Sequence, residues 1–231
     1  MRHTHVVGVA ICLLVVGAAA LADDVFPPDW RGNYGTMTAG WGFWGGEGLG
    51  PRVLLQSEAQ LIQANPGGFA DPFPAWAYIN SQVYVHDQLG NRQSVLEIND
   101  GGTLAFRLSN YDQDNPQKHL KLQITFRQSM GAPMTFDVGA WTGDPGDPPW
   151  NYPNTVAAVV DESFDHGDGW QTNSYHIWFE PNPLYEGFGI NFTAYPAFVD
   201  QVVIDTWCIP EPATLSLVVL AIGGSALLRR R

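Results

Sequence analysis

The chain has 231 residues, and its 23 acidic residues outnumber its 11 lysines and arginines, which gives a formal net charge of -12. A strongly acidic surface repels phosphate backbones, so we expect no nucleic-acid partner. Two cysteines are too few for a disulfide-rich scaffold. The length fits one domain with a hydrophobic core.

The N-terminus has the features of a secretory signal peptide. A basic residue precedes an apolar run over residues 6–21, and two small residues, Ala20 and Ala22, stand where a signal peptidase cuts. We therefore predict that residues 1–22 are removed after Ala22, which leaves Cys208 as the single cysteine of the exported chain. The alternative is an uncleaved membrane anchor, which the shortness of the run and the acidic residues after it disfavour.

Residues 23–50 are rich in glycine, proline and aromatic side chains, and neither a helical nor a strand period persists there. We predict an extended, irregular segment whose tryptophans dock on the domain that follows. Residues 54–62 fit a short helix and a short strand equally well, and the sequence leaves this choice open.

From about residue 75 the hydrophobic period is two, which predicts β-strands. Residues 120–127 alternate strictly between apolar and polar side chains, as in a strand with one face in water. Turn-forming Asn, Asp, Gly and Pro residues separate such segments. The other strand candidates are residues 82–86, 93–98, 103–108, 134–140, 156–160, 171–180, 187–193 and 198–206.

Eight or nine short strands without a long amphipathic helix predict an all-β domain over residues 51–209, an antiparallel β-sandwich of jelly-roll type. Residues 199–205 are similar to the last strand of many galactose-binding-like jelly rolls, in which an Asp precedes β-branched residues. That resemblance supports the fold and points to sugar binding. The layout of body and tail also resembles a group of exported bacterial proteins of unknown role.

The C-terminal residues have three parts: a Pro-Glu-Pro motif, an uncharged apolar stretch and a terminal run of arginines. The apolar stretch, residues 213–228, is just long enough to insert into lipid as a helix. Arginines stay on the cytoplasmic side, which places the body of the chain across the membrane from them. The motif and the terminal run consist of Pro210, Glu211, Pro212, Arg229, Arg230 and Arg231.

This three-part layout resembles the PEP-CTERM sorting signal of Gram-negative bacteria that make extracellular polysaccharide, a signal processed by an exosortase. The resemblance covers residues 210–231. It implies two partners, an exosortase-type processing enzyme and membrane lipid, and at least transient anchoring before the protein reaches the cell surface or the extracellular space. The alternative is an ordinary tail anchor that is not processed.

No catalytic motif is present: no serine is flanked as Gly-x-Ser-x-Gly, and the histidines of the body stand singly, without the spacing of a zinc-binding helix. In the densest carboxylate cluster, Asp161, Asp165 and Asp168 are candidate calcium ligands. The cluster lacks the regular Asp-x-Asp-x-Asp-Gly pattern, and the alternative is a solvated turn in which Gly167 and Gly169 adopt positive φ. We expect no other cofactor.

A proline-stiffened loop carries Trp141, Trp150 and Tyr152. Aromatic faces stack on the apolar faces of sugar rings, so the loop is a candidate polysaccharide site; the alternative is that its rings cap the open end of the sandwich. We therefore expect an exported, non-catalytic protein of the cell surface or extracellular matrix that binds polysaccharide. The alternatives are a secreted glycan-active enzyme and a passive structural or adhesive component.

Overall fold

The structure is a computed structural model, and the residues it describes form strands and connecting segments with no helix among them. Within this part of the chain, no helix of the length and apolarity needed to cross a membrane is found. The described residues are 24–33, 35–42, 53–56, 59–62, 75–79, 83–98, 102–108, 117–127, 136–143, 154–183, 185–193 and 196–209.

The described residues form fourteen strands. In chain order these are β1 (Thr36–Trp41), β2 (Val53–Gln56), β3 (Ala59–Ile62), β4 (Trp76–Ile79), β5 (Val83–Leu89), β6 (Arg92–Ile98), β7 (Thr103–Leu108), β8 (Gln117–Arg127), β9 (Phe136–Gly143), β10 (Asn154–Ala157), β11 (Val160–Gly167), β12 (Trp170–Phe179), β13 (Tyr185–Phe192) and β14 (Ala197–Ile209).

The strands belong to two antiparallel sheets. The larger sheet has the order β11-β12-β8-β14-β1-β3, and the hairpin β5-β6 joins it through β14. The smaller sheet has the order β10-β9-β13-β7-β4-β2. The long strand β14 organises the larger sheet, because residues 197–199 pair with β6, residues 202–207 pair with β1, and its other edge pairs with β8.

Strand alternation places one set of side chains between the two sheets. The apolar residues that alternate along β8 are all buried in a core to which both sheets contribute. Trp41 of β1 contacts Phe106 of β7, with ring centroids 4.8 Å apart. The prediction of an all-β domain with antiparallel sheets is confirmed, and the shared core is that of a sandwich.

The prediction of an irregular segment over residues 23–50 is wrong for residues 36–41. These residues form β1, which lies between β14 and β3 and directs Met37, Ala39 and Trp41 into the core. The expected docking of tryptophans from this segment is confirmed for Trp41. The open choice for residues 54–62 is also decided, since both ends of that stretch belong to strands, β2 and β3.

A buried ion pair joins the two sheets. Nζ of Lys118 in β8 lies 2.6 Å from Oε1 of Glu186 in β13, and both side chains are fully buried. The same Nζ lies 3.2 Å from the sulfur of Cys208. Burial opposes the charge of Lys118, but Glu186 and Cys208 raise its pKa above the ordinary value. The two charges compensate each other where water does not reach them.

The packing at the start of β1 against β14 can be tested at Gly35, with Gly167, a glycine of the same backbone conformation in open space, as the control. Gly35 and Gly167 both have φ of +81°, but a Cβ on Gly35 would lie 2.9 Å from the carbonyl oxygen of Cys208, whereas a Cβ on Gly167 meets nothing within 4 Å. We expect Gly167→Ala to lower the free energy of unfolding by about 1–2 kcal/mol through backbone strain alone. Gly35→Ala should lower it by a further 1–3 kcal/mol, roughly, because of the clash. Urea unfolding measures both, and equal losses would contradict this packing.

Candidate functional site

Residues 24–33, here called the N-terminal arm, cover part of the outer face of the larger sheet. The backbone N–H of Phe26 donates to Oε1 of Gln123 at 2.8 Å, and Nε2 of Gln123 donates to Oδ1 of Asp24 at 2.7 Å. Gln123 belongs to β8 and points away from the core, yet it is only 1% exposed. The face of β8 that was predicted to be wet is therefore covered by the arm at this point.

Arg31 anchors the arm to the sheet. Its Nε and Nη2 atoms donate to the two carboxylate oxygens of Asp205 at 2.7 and 2.6 Å, and its Nη1 pairs with Asp24. The Asp205 side chain is fully buried in β14 and also accepts a hydrogen bond of 2.6 Å from the hydroxyl of Thr38. Burial opposes the charge of Arg31, but the two carboxylates raise its pKa above the ordinary value. The result is a fork of charge-assisted hydrogen bonds around a buried carboxylate.

Five rings, here called the aromatic row, cross the outer face beside the arm. Trp30 of the arm stacks on Trp207 of β14, with centroids 5.7 Å apart and planes inclined by 24°. Trp207 lies 6.0 Å from His119 of β8, and His119 lies 5.1 Å from His176 of β12. His176 in turn lies 6.1 Å from Trp178, whose side chain is 61% exposed.

The strand register explains why these rings meet. Trp207 and Trp178 pair with His119 from opposite sides, so the three residues occupy one line across β14, β8 and β12. Neighbouring strands are spaced by about 4.8 Å. The aromatic row therefore runs across the strands. The backbones of Trp207 and Trp178 lie about 10 Å apart, with His119 between them.

His119 and His176 contact each other in the middle of the aromatic row. Nδ1 of His119 lies 3.0 Å from Nε2 of His176. Burial lowers the pKa of both imidazoles, and the charge of His176 lowers the pKa of His119 further. Neutral imidazoles can share this hydrogen bond, one as donor and the other as acceptor. The interpretation of the body histidines as single, unconnected residues is thus wrong for this pair.

An acidic groove lies between the N-terminal arm and strands β8, β11 and β12. Its volume is about 390 Å³, and it is lined by Asp29, Asp161, Glu162, Lys121 and His176 together with residues of the arm. Nζ of Lys121 lies 2.5 Å from Oε2 of Glu162 and 3.9 Å from Oδ2 of Asp161, so its charge is engaged within the groove. Three carboxylates against one ammonium leave the groove negative and rich in hydrogen-bond acceptors.

A second groove, also of about 390 Å³, shares Asp161 and His176 with the first. Its walls are mainly apolar and include Val156, Val160 and the exposed Trp178. The two grooves therefore form one connected region with exposed apolar surface, the ring of Trp178 and carboxylates, and this region includes residues of β10 in the smaller sheet. Ligand sites in proteins commonly have volumes in this range.

The three predicted calcium ligands do not form one site. Asp161 and Asp165 are exposed on the edge strand β11, and Asp168 lies in the turn that leads to β12. Asp165 accepts a hydrogen bond of 2.8 Å from the N–H of Gly167. In the part of the chain that the structure describes, no three His, Cys, Asp or Glu side chains are placed to hold a metal ion. The alternative of a turn fits, since Gly167 and Gly169 have positive φ.

Most of the other predicted site residues lie outside the described residues. The backbone of Trp141 belongs to β9, where it pairs with Thr155 and Gly187. The residues outside are Trp150 and Tyr152 of the loop, Ala20 and Ala22 of the cleavage site, and Pro210, Glu211, Pro212, Arg229, Arg230 and Arg231 of the tail.

Sequence reasoning missed the aromatic row because its members are far apart in the chain and only the strand register brings them together. A local signal was nevertheless present. His119, His176 and Trp178 stand at the alternate positions of their strands that face away from the core, where polar residues are the rule. Rings that lie side by side on the solvent face of a sheet are typical of an interaction surface.

No protein-family model matches the chain, and no curated protein matches it. Solved structures are similar to parts of it, and three of them are as follows. A 4-O-methyl-α-glucuronidase with specificity for decorated arabinogalactans matches at 15% identity and a TM-score of 0.35, over 54% of this chain and 16% of that one. A carbohydrate-binding module that recognises mannan matches at 16% identity and a TM-score of 0.28, over 53% and 78%.

The third structure is the enzymatically active domain of tailspike protein 4 of bacteriophage CBA120, at 11% identity and a TM-score of 0.31, over 58% of this chain and 19% of that one. The matches thus span small parts of the glucuronidase and of the tailspike domain. At such TM-scores none of the three similarities carries an argument about function.

Removal of the Arg31 side chain would leave the Asp205 carboxylate buried without its main partner. We expect Arg31→Met to lower the free energy of unfolding by about 3 kcal/mol, because an uncompensated buried charge is strongly unfavourable. Glu162→Gln, which removes the exposed partner of Lys121, is the control and should cost less than about 1 kcal/mol. Urea unfolding compares the two, and a similar loss for both variants would show that Arg31 is not the anchor.

Proposed function

We propose that this chain is an exported, non-catalytic β-sandwich protein that binds polysaccharide on the outer face of its larger sheet. The observation that carries the proposal is the aromatic row, which ends in the exposed Trp178 and lies beside a groove rich in carboxylate oxygens. Aromatic faces pack against the apolar faces of sugar rings. Carboxylates accept hydrogen bonds from hydroxyl groups, and a neutral imidazole can both accept and donate them.

The charges near the row support a neutral polysaccharide as the ligand. Asp29, Asp161 and Glu162 line the acidic groove, and the ammonium of Lys121 is engaged by Glu162. A polymer of uronic acids would bring further negative charge next to these carboxylates and would be repelled. A neutral chain meets no such repulsion and uses the same oxygens as hydrogen-bond acceptors.

The strand order supports the finer prediction of a jelly roll. In a jelly roll eight successive strands fill two four-stranded sheets in the orders first-eighth-third-sixth and second-seventh-fourth-fifth. Here β6-β14-β8-β12 and β7-β13-β9-β10 are runs of neighbouring strands. Counted from β6 to β14, with β11 as an added edge strand of the β11-β12 hairpin, the chain follows this order.

Export and sorting rest on the two ends of the chain. The apolar run that ends at Ala20 and Ala22 supports secretion, and the Pro-Glu-Pro motif, apolar stretch and terminal arginines support processing by an exosortase-type enzyme after transient insertion into lipid. Such sorting would bring the outer face to the cell surface or the extracellular matrix, where polysaccharide is available.

The binding proposal is tested with an exposed ring that the fold does not need. We expect Trp178→Ala to weaken binding of a neutral β-glucan or galactomannan at least about tenfold, since a stacked aromatic anchor typically dominates such a surface. Its melting temperature should stay unchanged because the ring is 61% exposed. Affinity electrophoresis on a panel that includes a polyuronate measures both affinity and class of ligand.

The matched control is Tyr84→Ala, which removes a ring that is 59% exposed on β5, away from the aromatic row. It should bind as the unaltered protein does. If Trp141→Ala and Trp150→Ala abolish binding while Trp178→Ala does not, polysaccharide binds at the loop, and the proposal that it binds on the outer face is wrong. Release of new reducing ends from any polysaccharide of the panel would contradict the non-catalytic assignment and favour a glycan-active enzyme.

The sorting proposal is tested on the protein as its host makes it. We expect the mature protein to begin at Asp23 and to lack the residues beyond about Pro212, because both hydrophobic ends are processed. Mass spectrometry of the purified protein gives both termini. Recovery of an intact Arg231 would contradict processing of the tail and favour an ordinary anchor.

A further inference from the structure

The two contacting histidines form a pair of nitrogen ligands that polysaccharide binding does not require. Nδ1 of His119 and Nε2 of His176 are 3.0 Å apart, on adjacent strands that fix both backbones. The residues are diagonal neighbours, because His119 pairs with Trp178 and His176 pairs with Lys121. The nitrogens therefore come from two residues 57 positions apart in the chain, and the register holds them in place.

The separation of these nitrogens is close to that of two ligands of one metal ion. Metal–imidazole bonds are about 2.0–2.1 Å long, so two nitrogens 3.0 Å apart subtend an angle of about 90–100° at a shared metal ion. An angle near 90° is that of adjacent ligands in the square-planar and tetragonal sites that copper(II) and nickel(II) prefer.

We propose that His119 and His176 chelate a divalent copper ion on the outer face of the larger sheet. Metal binding breaks the hydrogen bond between the two rings. The imidazole that donated it then carries its proton on its other ring nitrogen, and both rings turn so that their free lone pairs point at the ion. With two protein ligands the remaining positions of the ion stay open to water or to an oxygen of a bound molecule. Copper(II) also has the highest affinity for nitrogen ligands among the first-row divalent ions, with nickel(II) and zinc(II) below it.

The surroundings of the pair suit a cation that arrives from solution. His176 lines both grooves, so its ring can be reached from solvent on the side of the acidic groove. The carboxylates of Asp161 and Glu162 line the same groove, and Lys121, the ammonium facing His176, is engaged by Glu162. The local field is thus negative, which raises the concentration of divalent cations near the pair.

The experiment titrates the full chain with copper(II) and zinc(II) salts alone, without polysaccharide, by calorimetry in a non-coordinating buffer. We expect copper(II) to bind at one site more tightly than zinc(II). Each of His119→Gln and His176→Gln should weaken copper binding at least about tenfold, since even loss of an outer-shell partner has that effect. The control is His86→Gln, which alters a histidine paired with Glu97 on the β5-β6 hairpin and should leave the affinity unchanged.

Two spectroscopic measurements on the unaltered protein test the proposal without any variant. Copper(II) should quench tryptophan fluorescence, because Trp207 and Trp178 flank the pair, and its electron paramagnetic resonance spectrum should show two imidazole nitrogens. Tighter binding of zinc(II), a spectrum with fewer than two imidazole nitrogens, or a glutamine variant that binds copper(II) as tightly as the unaltered protein would overturn the proposal. Polysaccharide binding is measured separately, so either proposal can fail while the other stands.

Discussion

The carboxylate of Asp205 is buried on the outer face of the larger sheet, and a buried charge must be compensated or the fold loses several kcal/mol. Two groups meet this demand, the guanidinium of Arg31 and the hydroxyl of Thr38. Because Arg31 belongs to the N-terminal arm, the compensation of one charge fixes a whole segment across the sheet. Phe26 and Asp24 then bond to the two ends of the Gln123 amide, and the arm closes over the polar face of β8.

This constraint also creates the candidate site. The arm covers the outer face over the centre of the sheet but leaves β11 and β12 open, and the acidic groove is the space between the arm and these strands. Trp30, carried by the same turn as Arg31, lies on Trp207 and begins the aromatic row. The acidic groove and the place of Trp30 in the aromatic row therefore depend on the ion pair between Arg31 and Asp205. The contacts among the other four rings of the row follow from the register of β14, β8 and β12.

The fold was largely predictable because the strands of this chain carry their pattern locally. Along β8 every second residue is apolar, and that alternation fixes both the strand and the face that meets the core. The same rule missed β1, whose Thr, Ala and Gly residues give a weak contrast between faces within a segment rich in Gly and aromatic residues. It also could not show that Gln123, a polar residue in a regular alternation, is buried beneath a segment about 100 positions earlier in the chain.

The candidate site was not predictable in the same way. The loop with Trp141, Trp150 and Tyr152 was predicted as the polysaccharide site because its aromatic residues are close in sequence. The residues of the aromatic row are distant in sequence, and their proximity depends on the register of β14, β8 and β12. Register follows from pairing between distant strands and leaves no short motif. For the same reason the histidines looked unrelated, although His119 and His176 share a hydrogen bond.

The most direct test of the central claim is to observe the indole N–H signals by nuclear magnetic resonance while a neutral oligosaccharide is added. The chain has nine tryptophans, and substitution of single residues assigns their signals. If the outer face of the larger sheet is the binding surface, the signals of Trp30, Trp178 and Trp207 shift together with increasing oligosaccharide. Shifts confined to Trp141 and Trp150, with the signals of the aromatic row unchanged at saturation, would contradict the account.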